Sequence, residues 1–94
     1  MNELTLGDRV TVPDGVISRE LDGETVVLNL ETGVYFGLDG VGTAIWNALQ
    51  GGGRIEDVFN AVLQQYDVTP PTLEADLLLF VNQLASKGLL IAGS

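Results

Sequence analysis

The hydrophobic period of this chain changes once, at Asp39, from about two residues to about 3.6. That change restricts the fold to strands first and helices second. Before it, three runs carry strand signals. Val16-Ile17-Ser18-Arg19-Glu20-Leu21 ends at Asp22-Gly23, a pair that favours a tight hairpin turn. Thr25-Val26-Val27-Leu28-Asn29-Leu30 is rich in β-branched residues. Thr32-Gly33 breaks the chain again, and Val34-Tyr35-Phe36-Gly37-Leu38 is a third strand. Two tight turns in series predict an antiparallel meander with the third strand at its edge. A short further strand over residues 9–12 is cut off by Pro13-Asp14-Gly15.

After Asp39 the pattern is helical. Asp39 is a suitable N-cap for a helix carrying Val41, Ala44, Ile45, Ala48 and Leu49, with Trp46 alongside in the core. Gly51-Gly52-Gly53 ends it as a flexible loop. A second helix shows Ile55, Val58, Phe59, Val62, Leu63 and Tyr66 on one stripe, and Glu56 and Asp57 suit the positive end of its dipole. Thr69-Pro70-Pro71 marks an N-cap and first-turn prolines. The third helix then runs to Lys87, with Gly88 as its stop. Leu89-Leu90-Ile91 is an apolar tail expected to pack back on the core. The predicted fold class is α+β and winged helix-turn-helix-like: a three-stranded antiparallel sheet followed by three helices. The 94 residues suit one domain, 1–94, with a flexible N-terminus over residues 1–8.

Composition removes most chemistry. No cysteine and no histidine is present, so disulfides, thiol catalysis, imidazole acid–base chemistry and thiolate or imidazole metal sites are excluded. No acidic loop of calcium-binding spacing occurs, and Ser18, Ser86 and Ser94 have no histidine to activate them. We therefore expect no metal, no cofactor and no catalytic residues. The formal net charge is −9, and Arg9, Arg19, Arg54 and Lys87 are scattered. This disfavours nucleic acid and anionic membrane surfaces, which both need clustered bases. The N-terminus lacks signal-peptide features, and no apolar stretch approaches the ~20 residues of a membrane span. The absence of cysteine fits a cytoplasmic protein.

Two features remain. On a 100° wheel, Leu73, Leu77, Phe80, Val81 and Leu84 form the core stripe of the third helix, and Ala85 and Leu78 widen one side. Asp76 and Gln83 lie beyond Phe80, and Leu79 stands nearly opposite the core. Isolated surface leucines are common and need no explanation. The sharper reading makes Thr72, Asp76, Leu79, Phe80 and Gln83 one wall of a groove for a partner. The second feature is the edge strand. Val34, Tyr35, Phe36, Gly37 and Leu38 include neither charge nor proline, the usual means of blunting an edge. Such an edge is covered by the N-terminal segment, pairs with a second copy, or accepts an extended peptide as an added strand.

The residues also carry a family likeness. The stretch Val27-Leu28-Asn29-Leu30-Glu31-Thr32-Gly33-Val34-Tyr35-Phe36-Gly37-Leu38-Asp39, then Gly42-Thr43-Ala44-Ile45-Trp46-Asn47-Ala48-Leu49, resembles the PqqD-like family. These domains are also called RiPP recognition elements, after ribosomally made, post-translationally modified peptides. The likeness continues through Ile55-Glu56-Asp57-Val58, Tyr66-Asp67-Val68, Asp76 and Leu84-Ala85-Ser86-Lys87-Gly88-Leu89-Leu90. It implies three antiparallel strands followed by three helices. It also implies that the leader of a precursor peptide binds along the third strand, in the groove beside the third helix.

The 35–39 stretch looks most like the discrete leader-binding partner of lasso-peptide systems, which delivers the precursor to a leader peptidase and a cyclase. A partner of a radical S-adenosylmethionine enzyme, as in pyrroloquinoline quinone assembly, is the alternative. From other classes come a DNA-binding winged-helix regulator, which the −9 charge opposes, and a structural homodimer through the strand edge.

Overall fold

The computed structural model describes residues 3–93. Met1, Asn2 and Ser94 lie outside the described residues. In chain order the elements are β1 (Arg9–Thr11), β2 (Val16–Leu21), β3 (Glu24–Asn29), β4 (Tyr35–Leu38), α1 (Gly40–Leu49), β5 (Gly53–Arg54), α2 (Ile55–Gln65), α3 (Pro70–Ser86) and β6 (Ile91–Ala92).

The meander forms as expected, with order β2-β3-β4 and antiparallel pairing throughout. Its first turn is set by Asp22 and Gly23, at φ 54° and 81°. Positive φ at both central residues is what a type I′ hairpin turn requires. The second turn is held by Asn29, whose Oδ1 accepts from the N–H groups of Glu31 and Thr32 at 2.9 and 3.2 Å.

A second small sheet, β5-β1-β6, adds to the expected architecture. The short strand over residues 9–12 is its centre. Gly53, expected in an interhelix loop, pairs with Val10, and Ile91 pairs with Thr11. The tail therefore divides: Leu89 and Leu90 enter the core, whereas Ile91 is exposed on β6.

The described part of the N-terminal segment, residues 3–8, is tied to α2 and α3 by hydrogen bonds. Leu4 is buried, and its N–H donates to Asn82 Oδ1 at 2.8 Å. Arg54, the N-cap of α2, makes no side-chain cap bond. Instead the first N–H groups of the helix, at Ile55 and Glu56, donate to the carbonyls of Asp8 and Leu6 at 3.0 and 2.8 Å. An incoming chain thus satisfies donors that a capping side chain usually takes.

The core is one cluster. α3 supplies Leu73, Leu77, Val81 and Leu84, α2 supplies Ile55, Val58 and Val62, and α1 supplies Ile45, Trp46 and Leu49. Each such side chain contributes roughly 1.5–3 kcal/mol of transfer free energy. Trp46 is buried as expected, and its Nε1–H has no partner among the described residues. Val41, expected in the core stripe of α1, is instead 42% exposed.

α3 ends in a Schellman motif: the Leu89 N–H donates to the Leu84 carbonyl at 2.9 Å and the Gly88 N–H to that of Ala85 at 3.1 Å. Gly88 takes the left-handed φ of 74° that this motif needs. Its carbonyl accepts from Asn29 Nδ2 at 2.9 Å, which fixes the end of α3 against the end of β3.

Candidate functional site

β4 ends the sheet, and its hydrogen-bonding pattern decides what it shows to solvent. The Asn29 N–H donates to the Val34 carbonyl at 2.9 Å. Antiparallel pairing alternates from there, through Val27 with Phe36 and Thr25 with Leu38. Phe36 and Leu38 therefore turn their backbone groups toward β3. Tyr35 and Gly37 turn theirs to the open edge. The N-terminal segment, one candidate cover for this edge, is committed to β5, β6 and α2 instead.

Side chains alternate in the same register. Leu38 is buried and Phe36 half-buried, both on the helix side, while Tyr35 is exposed on the other face. Between β4 and α3 lies an open groove of about 470 Å³. Phe36, Leu38 and Phe80 give it apolar walls, and Thr72, Asp39 and Asp76 contribute polar groups. The Phe36 and Phe80 rings sit 6.2 Å apart with a 32° tilt, and Lys87 Nζ lies 5.6 Å from the Phe36 ring centroid. Asp39 caps α1, with Oδ1 accepting from the Gly42 N–H at 2.8 Å. A Cβ on Gly42 would lie 3.3 Å from Leu38 Cβ and 3.7 Å from Phe80 Cε1. Glycine there lets α1 approach close enough to form part of the groove.

Six of the sequence-predicted residues are brought together in this lining: Phe36, Gly37, Leu38, Thr72, Asp76 and Phe80. Val34, Tyr35, Leu79 and Gln83 are not part of it. Val34 precedes the strand, Tyr35 belongs to the opposite face, Gln83 is a turn beyond Phe80, and Leu79 is 62% exposed. Sequence reasoning missed Asp39, Val41, Gly42, Ile45, Val68 and Leu73 as lining. Val41 and Val68 were the detectable ones, since both are apolar at positions where a helix begins or a loop runs. Among the described residues, no group of three or more Asp or Glu is placed to hold a metal ion. What the groove offers is unpaired amides beside apolar walls, which suits an extended chain.

The profile of the PqqD family, coenzyme PQQ synthesis protein D, matches residues 24–90. This chain belongs to the PqqD family. The matched span of this PqqD-family chain holds β3, β4 and all three helices, and with them every groove residue. Among solved structures, one described as TbiB1 in complex with the TbiA(beta) leader peptide is similar, at 46% identity and a TM-score of 0.79. The match covers 85% of this chain and 93% of that one. No curated protein gives a significant match.

Proposed function

We propose that this chain is a non-catalytic peptide-binding protein, which captures the leader of a ribosomally made precursor and presents it to modifying enzymes. The observation that carries this is the open β4 edge beside the groove. The similarity to TbiB1, described in complex with a leader peptide, supports it. The leader adds as a fourth strand, bonded to the backbone of Tyr35 and Gly37. Its inward side chains meet Phe36, Leu38, Thr72, Asp76 and Phe80. Val34, Leu79 and Gln83 are reached only by a peptide that overhangs the groove. Absence of histidine and cysteine supports a binding role over a catalytic one.

The system we favour is a lasso-peptide pathway with a leader peptidase and cyclase, acting in the cytoplasm. The second reading is a partner of a radical S-adenosylmethionine enzyme, and the family's description as a coenzyme PQQ synthesis protein favours it.

The test is a fluorescence-anisotropy titration with a labelled leader from a neighbouring precursor gene and a scrambled control. The leader should bind saturably and the control should not. Tyr35→Pro removes an outward N–H and should weaken binding about five- to tenfold with the fold intact. Phe36→Pro removes an N–H that faces β3, and should disturb the sheet itself. A folded protein that ignores the correct leader contradicts the proposal.

A further inference from the structure

The sheet has a second face, turned away from the helices. Thr25, Val27 and Asn29 of β3 are buried on the helix side, so Val26 and Leu28 point outward. Register places Ile17 and Tyr35 on either side of Leu28, and Arg19 and Gly37 on either side of Val26. Ile17 is 50% exposed, Val26 49%, Tyr35 71% and Leu21, at the hairpin end, 68%. The solvent face of an antiparallel sheet is ordinarily polar. Here three adjacent strands present an apolar row of Ile17, Leu28 and Tyr35 with Val26 beside it, while Arg19 and Glu24 set Leu21 apart at the hairpin end.

The charge around it selects the occupant. Asp22, Glu24 and Asp39 border a depression that wraps around the hairpin end of the sheet from this face, where Arg19 is the single base. A second copy would bring the same acidic rim and another net charge of −9. A different protein with an apolar centre ringed by Lys and Arg is complementary in both respects. A peptide added at β4 would also project every second side chain onto this face, next to Tyr35. Whatever docks here then meets protein and peptide together.

We infer that the outer face of β2-β3-β4, centred on Ile17, Val26 and Tyr35, is the docking surface for the enzyme that acts on the bound peptide. The inference rests on the leader-binding reading, and it names the surface by which the leader is handed over. The enzyme's contacting surface is apolar with a basic rim, and it prefers the peptide-loaded chain.

The test titrates the full chain, loaded with leader peptide, against the purified leader peptidase of its own system. Ile17→Thr with Val26→Thr keeps β-branched residues at both positions while removing apolar surface. Leu21→Ser is a second, independent variant at an exposed turn end. Both should hold leader affinity within about twofold while peptidase affinity falls, about tenfold for the double variant. Unchanged peptidase affinity overturns the inference. So does a loaded parent chain that does not bind the peptidase, or a parent dimer that the double variant converts to monomer. Failure of the parent to bind leader at all removes the underlying reading instead, which the anisotropy arm reports separately.

Discussion

Asn29 shows how one side chain fixes both the strand turn and the helix end. Its Oδ1 accepts two turn N–H groups and its Nδ2 donates to Gly88 at the close of α3. Asn29→Ala removes three hydrogen bonds from a partly buried site and should lower stability by about 2–3 kcal/mol in chemical denaturation. Gly88→Ala forces a Cβ into a left-handed conformation at φ 74° and should cost about 1 kcal/mol. At the groove, Phe80→Ala should weaken leader binding severalfold, because it removes the ring opposite Phe36. Leu79→Glu should leave affinity nearly unchanged, since Leu79 is exposed and does not line the groove. The wheel geometry of α3 was enough to place Thr72, Asp76 and Phe80 on the groove side. It could not tell which of their neighbours, Leu79 and Gln83, lie past its rim. That depends on how close β4 and α1 approach, which Gly42 controls.

The elements divide by the strength of their local signals. The hairpin turn at Asp22-Gly23, the N-cap at Asp39 and the stop at Gly88 each impose a local conformation, and each is where the sequence places it. β5 and β6 have two residues apiece, too few to show any period, and form only because β1 offers both of its edges. The same explanation covers the N-terminal segment. Nothing in its composition announces that Leu6 and Asp8 supply carbonyls to α2. Deleting residues 1–8 should therefore destabilise the fold by about 3–6 kcal/mol, from four lost hydrogen bonds, two to α2 and two to Asn82, and the loss of the buried Leu4 side chain. Thermal unfolding checks this, and leader affinity of the remaining folded fraction should be unaffected.

For the whole molecule, charge and topology act together. Among the described residues no helix is long and apolar enough to cross a membrane. The core occupies the helix side of the sheet, leaving an edge and an outer face free to meet other chains. A net charge of −9 steers basic partners toward those surfaces and opposes self-pairing. Association with a basic-rimmed enzyme should then slow as ionic strength rises, with a much smaller effect on dissociation, as stopped-flow measurements would report.

The most direct test of the central claim is amide hydrogen exchange, residue by residue, with and without leader peptide. Strand addition at β4 predicts new protection at the Tyr35 and Gly37 amides, while Phe36, already bonded to β3, changes little. A leader that binds with the Tyr35 and Gly37 amides still exchanging freely would contradict the account, because the peptide would then be held somewhere other than the open edge.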